Sequence, residues 1–186
     1  MAYNEDDKTE PISPYAISKL TIENYLRYFK KRSNLDYLIL RYSNPYGPGQ
    51  NFIGNQGIIP IFLNLIRQKK PITIFGDGEN LRDYIFIEDL VNITKKIFDK
   101  KLKYSVYNVG SGENRTINEI VEMIEDIALS RVKIKKLQQR NIDVRRIALD
   151  IERIKNEVGY KEFISLEKGI RKTWSWLNKK NKLHKV

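Results

Sequence analysis

The chain has 186 residues, 41% hydrophobic and 31% charged, with a net charge of +11. That length suits one domain with a real hydrophobic core, or part of a larger one, and the balance argues against a disordered chain. There is no cysteine, and the single histidine, His184, lies in a basic tail with Lys179, Lys180, Lys182 and Lys185; disulfide frameworks, thiolate metal sites and histidine-activated nucleophiles are thereby set aside.

No apolar run approaches the roughly 18 residues that a membrane helix needs. The acidic opening MAYNEDDKTE does not read as a signal peptide, so a cytoplasmic location is expected. The basic residues fall in scattered clusters, Lys30–Arg32, Lys69–Lys70, Lys133–Lys136 and the tail. None has the pattern of a zinc finger, a basic zipper or an RNA-recognition motif, so a solvated basic surface is expected. An anionic small substrate is the alternative; a nucleic-acid partner is not expected, and a membrane surface is disfavoured.

In chain order, Ser13 followed by Pro14 predicts the N-cap and first position of a helix to about Arg32, with Ser33–Asn34 ending it. LDYLILRY is a short continuous apolar run, as in a buried parallel strand. SNPYGPGQNFIGNQG reads as a long loop of the kind that carries function. A helix over about Ile58–Gln68, a strand ITIFG, a turn GDGEN and a strand DYIFI follow. Glu88 and Asp89 place acid at the start of a helix to about Asp99, and YSVYNVG is another strand. Thr116 with Glu119 forms a capping box for a helix to about Ala128, followed by a strand VKIKK. Asp150 is expected to cap a helix stopping near Gly159, and Ser165 to start a last one through Trp174–Leu177. Such alternation predicts an α/β fold with a largely parallel sheet.

Two glycine pairs could suggest a nucleotide loop. Gly110-x-Gly112 has no third glycine, because position 115 is Arg115, and no acid closes the strand about twenty residues on. A tight turn between a strand and a helix accounts for it better. GDGENL leads into a strand rather than a helix, and so fails as well.

Tyr15 and Lys19 are four apart in the first predicted helix and so share a face. A phenol next to an ammonium, at the positive end of a helix dipole, is helped towards the phenolate that a general base requires. The spacing alone equally suits an aromatic packed beside a snorkelling lysine.

The blocks SPYAISKL, LILRYSNPYGPGQ and ITIFGDGENLRDYIFIEDL, in this order, resemble the extended short-chain dehydrogenase/reductase family, and within it nucleotide-sugar epimerases of the UDP-glucose 4-epimerase type. The resemblance runs from about Glu10 to about Tyr160. It implies a partial Rossmann-like parallel sheet plus a small substrate-binding α/β domain, with residues 1–57 from the cofactor domain, 58–178 mainly substrate-binding and 179–186 a basic tail. The same resemblance implies NAD as cofactor and a nucleotide diphosphate sugar as substrate. Tyr15 would be the acid/base on a sugar hydroxyl, and Lys19 its partner on the nicotinamide ribose. Ser43 stands where these enzymes often carry phenylalanine beside the nicotinamide, and Asn44 where an asparagine meets the diphosphate. Gly57 and Ile58 resemble the segment along the substrate, and Thr73 and Phe75 the strand lining the base pocket. Arg82 resembles the arginine gripping the diphosphate; Arg140 and Asp143 resemble a later pair that holds phosphate and ribose. Arginine's planar fork suits phosphate oxygens on chemical grounds as well.

In that family a strand, glycine loop and helix come first, yet only fourteen residues precede Tyr15. The expectation is therefore a C-terminal portion that binds NAD poorly and is inactive alone. Exposed apolar surface on the first helix and on LDYLILRY would favour a homo-oligomer. A 4,6-dehydratase or another sugar-modifying member, or a non-catalytic sugar-nucleotide-binding remnant, are the alternatives.

Overall fold

A computed structural model describes residues 2–52, 56–139 and 144–183. The first helix, α1 (Pro14–Ser33), begins as its sequence predicts: the Ser13 side chain accepts from Ala16 N–H and Pro14 occupies the first turn. Asn34 closes it in the left-handed conformation, φ 52°, with its N–H on Lys30 C=O. The remaining elements are β1 (Ile39–Tyr42), β2 (Asn44–Tyr46), α2 (Ile58–Arg67), β3 (Ile72–Phe75), β4 (Leu81–Phe86), α3 (Ile87–Phe98), β5 (Val106–Val109), β6 (Asn114–Thr116), α4 (Ile117–Ala128), β7 (Ile134–Leu137), β8 (Arg146–Ile147), α5 (Glu152–Val158) and α6 (Leu166–Leu183).

The alternation does produce an α/β fold. Parallel pairs join β1 to β5, β2 to β4, β3 to β7 and β4 to β8, while β4 and β6 run antiparallel. Three of these strands lie outside the elements read from sequence. Each of β2, β6 and β8 is only two or three residues long. They owe their strand geometry to pairing with β4 rather than to an apolar pattern of their own. Pro45, inside β2, brings no N–H to the ladder, which an edge strand tolerates. Thr116 and Glu119 form the expected capping box of α4. Asp150 accepts from Glu152 N–H at 2.9 Å, although the cap position of α5 is Ile151.

Strand β4 stands between two apolar cores, and the period of two along it decides which side chain enters which. Tyr84 and Phe86 join a core built with Tyr46, Leu63 of α2, Ile120 and Ile124 of α4 and Ile170 of α6. Ile85 joins a second, with Ile93 and Ile97 of α3, Tyr107 and Val109 of β5 and Ile154 of α5. Close contact sets the small residues: a Cβ on Gly169 would lie 2.1 Å from the Tyr46 hydroxyl.

Helix α1 differs in kind, since none of its residues is buried. It is tied down by charge: Arg41 of β1 donates to Glu23 from Nε at 2.9 Å and Nη2 at 2.8 Å, and Lys30 meets Asp36 at 2.6 Å. The segment before it adds a strap. Tyr3 forms a parallel bridge to Leu149, and the buried Glu5 accepts from Asn108 N–H at 2.8 Å and faces Arg153.

Candidate active site

The ion pairs Lys30–Asp36 and Glu23–Arg41 close progressively longer loops, so α1 runs antiparallel to β1. Tyr15 lies eight residues before Glu23, about 12 Å further along the axis at 1.5 Å per residue. This carries it past the carboxyl end of β1, where the chain leaves through Ser43 and Asn44. Tyr15 is 70% exposed, and the Lys19 ammonium stands 5.2 Å from the centre of its ring. The two share a face, as their spacing requires. Glu23 secures the helix in that direction. Burial pushes its carboxyl up, but the hydrogen bonds and charge of Arg41, with those of Arg27, outweigh burial and hold it below its ordinary value.

A second set of side chains gathers on one face of the β2–β4–β6 sheet. Asn44 is the register partner of Tyr84, and Arg115 that of Arg82. Residues 82 and 84 point to the same face of β4, so Asn44, Arg82 and Arg115 line one surface. Asn44 Nδ2 donates to Asp83 C=O at 2.8 Å, and Arg82 Nη1 to Leu81 C=O at 2.8 Å.

The opposite face explains the glycine pair. Asp83 is fully buried, and its two carboxylate oxygens take the N–H of Ser111 at 2.9 Å and of Gly112 at 2.7 Å, with the Ser111 hydroxyl at 3.2 Å. The buried Ser43 hydroxyl stands beside the same carboxyl without completing a well-formed hydrogen bond to it. Burial pushes the Asp83 carboxyl above its ordinary value, and the two N–H groups offset only part of that rise. At Gly110 a Cβ would meet Asp83 Oδ2 at 2.7 Å, and Gly112 turns at φ 76°. The glycines therefore make a nest for an internal carboxylate. The turn leads into β6 before the helix begins, not straight into the helix as the sequence suggests. Asp83 is the turn-organising residue that sequence pattern alone passes over. Its signal is an acid opening the otherwise apolar run DYIFI.

The model of the NAD dependent epimerase/dehydratase family matches residues 2–110. The chain belongs to that family. It is 39% identical over 170 residues to a dTDP-4-dehydro-6-deoxyglucose reductase of Escherichia coli, covering 91% of this chain and 54% of the relative. It is 32% identical to a putative UDP-glucose 4-epimerase of Methanocaldococcus jannaschii, covering 96% and 58%. The solved UDP-glucose 4-epimerase of Thermotoga maritima, with UDP-glucose, superposes with a TM-score of 0.90 at 33% identity, over 96% of this chain and 58% of that one. The chain thus spans a little over half the length of these relatives.

Other residues that resemble family positions lie elsewhere. Gly57 precedes α2 at φ 82°, where a Cβ would lie 2.5 Å from Gln50 Nε2, and Ile58 packs against the first core. Thr73 and Phe75 alternate with the buried Ile72 and Ile74 on β3, opposite Lys135 and Leu137 of β7. That two-stranded sheet is separate from the one carrying Asn44 and Arg82. Arg140 and Asp143 lie outside the described residues. Among the described residues no cluster of three or more metal-ligating side chains occurs, and no helix is long and apolar enough to cross a membrane.

NAD, the cofactor of the family, can be tested against these residues. Tyr15 and Lys19 project together from the start of α1 and suit the nicotinamide ribose. The Gly110–Gly112 turn does not suit the cofactor diphosphate, because its N–H groups are already taken by Asp83.

Proposed function

We propose that this chain carries the catalytic couple and the sugar-nucleotide pocket of a nucleotide-sugar 4-epimerase of the UDP-glucose or UDP-N-acetylglucosamine type. NAD, when bound, supplies reversible hydride acceptance from the sugar carbon. Tyr15 holds and returns the proton of the sugar hydroxyl, and Lys19 favours the phenolate and meets the nicotinamide ribose. Asn44 and Arg82 hold the diphosphate, Gly57 and Ile58 border the substrate, Thr73 and Phe75 line the base pocket, and Arg140 and Asp143 hold phosphate and ribose. Residues 1–57 then belong to the cofactor domain, 58–178 to the substrate domain and 179–186 to a basic tail. The reaction is placed in the cytoplasm, where both nucleotide sugars and NAD are available.

Two sets of side chains support this reading: the exposed Tyr15–Lys19 couple in the first turns of α1, and Asn44 with Arg82 on one face of the β2–β4–β6 sheet. The chain alone is expected to bind UDP-glucose without turning it over and to bind NAD only weakly. Calorimetry checks this. Arg82→Ala should weaken UDP-glucose binding at least tenfold, the loss of a charge-assisted contact. Micromolar NAD affinity would overturn the expected weak cofactor binding by the chain alone, and UDP-glucose binding indifferent to Arg82 would sink the proposal.

A second reading, a reductase or 4,6-dehydratase acting on a dTDP-sugar, is favoured by the 39% identity to the Escherichia coli reductase. Tighter binding of dTDP-glucose than of UDP-glucose would select it. Self-association through α1 is also inferred: Ile17, Ile22 and Tyr25 are each at least half exposed. A monomer by light scattering at high concentration would remove that inference.

A further inference from the structure

Arg115 lies directly across from Arg82 in the antiparallel pair of β6 and β4. Opposed residues in such a pair share a face, with Cβ atoms about 4.5–5.5 Å apart, and like charges placed there repel. Two arginines at opposed positions, on the face that also carries Asn44, form the arrangement that a ligand with two adjacent anionic groups would reward. The backbone that sets this opposition is fixed independently of either arginine. Asp83 clamps the turn entering β6 through Ser111 and Gly112, and the Thr116–Glu119 capping box fixes its exit. The Arg115 guanidinium can therefore exchange partners without moving its strand.

Its present partners lie in its own segment: Arg115 Nη1 donates to Asn114 C=O at 2.9 Å, and the rest are glutamates. Arg115 Nη2 contacts Glu113, and its Nε lies 4.0 Å from Glu119. Both carboxylates are substantially exposed, 38% and 49%, so solvent screens their hold on the guanidinium. A diphosphate presents more charge and matches the arginine fork better than one exposed carboxylate.

We propose that Arg115 is a further diphosphate-binding residue, forming with Arg82 a two-arginine clamp, and that Glu113 is the ligand it releases when the nucleotide sugar binds. This rests on the reading of Arg82 given above, and it adds a residue that nothing in the sequence motifs singles out. The clamp predicts a selective pattern: Arg115 matters for ligands that carry the diphosphate and not for those that lack it.

Calorimetric titration of the chain with UDP-glucose and with uridine tests it. Arg115→Ala should weaken UDP-glucose binding about tenfold, as one charge-assisted contact is lost, and leave uridine binding unchanged. Glu113→Gln should tighten UDP-glucose binding, because the competing carboxylate is gone; a merely structural ion pair would give no change or a loss. Arg115→Lys, which keeps the charge without the fork, should fall in between and serves if the alanine variant does not fold. Wild-type affinity for UDP-glucose in Arg115→Ala, parallel loss of UDP-glucose and uridine, or weaker binding in Glu113→Gln would each overturn the clamp. Loss of UDP-glucose binding in Arg82→Ala alone would leave the sugar-nucleotide pocket standing and remove Arg115 from it. A wild-type chain that binds neither ligand would instead remove the pocket, and the clamp with it.

Discussion

Helices α1 and α4 carry apolar residues at helical spacing, yet they end in opposite situations. Ile120, Val121, Ile124 and Ile127 of α4 are buried, whereas no residue of α1 is fully buried and Ile17, Ile22 and Tyr25 lie largely in solvent. The first is held by packing against α2, α6 and the sheet; the second is held by Glu23–Arg41 and Lys30–Asp36. The difference teaches that the part of the chain carrying Asn44 and Arg82 has an apolar core of its own. The part that presents Tyr15 and Lys19 is positioned by a few polar contacts.

Mutations can break this comparison in order of size. Ile124→Ala should destabilise the fold by about 3 kcal/mol, since a fully buried side chain leaves both lost burial and a cavity; chemical denaturation measures it. Glu23→Ala should cost about 2 kcal/mol, because Arg41 then keeps its half-buried charge without its two-pronged acceptor. A loss from Glu23→Ala equal to that from Ile124→Ala would erase the distinction between a packed and a charge-tethered helix. Ile22→Ala should change stability by no more than about 0.5 kcal/mol, and Ile22→Lys should lower self-association in sedimentation.

Asp83 and Glu23 sharpen the same contrast through pH. The folded-state value of Asp83 is raised above its ordinary 3.8, so folding favours its protonated form. Its contribution is greatest below that value and declines as pH rises through the window up to the folded value. Glu23 is depressed, so its contribution is complete above the ordinary glutamate value of 4.5 and is lost as pH falls through the folded one. Denaturation of Asp83→Asn and Glu23→Gln against pH should therefore give opposite slopes relative to the parent chain. Parallel slopes would contradict the environments assigned to the two carboxylates.

Much of this was legible in the chain itself. The Ser13–Pro14 start, the Thr116–Glu119 box and the apolar runs of β1, β3 and β5 are local signals, and local hydrogen bonding honours them. The Tyr15–Lys19 face follows from helical spacing alone. The short strands β2, β6 and β8 were not legible, because two or three residues show no periodicity and become strands only by pairing with β4.

The amino-acid sequence by itself determined the alternation of elements, the helix starts and the tyrosine–lysine pair, since each depends on residues within a few positions of one another. Only tertiary structure decided that Gly110 and Gly112 serve Asp83, 27 and 29 residues away along the chain, rather than a phosphate. It alone decided, too, that Arg115 faces Arg82. Both outcomes rest on which strand pairs with which and in what register, and a shift of one residue would turn every one of these side chains to the other face.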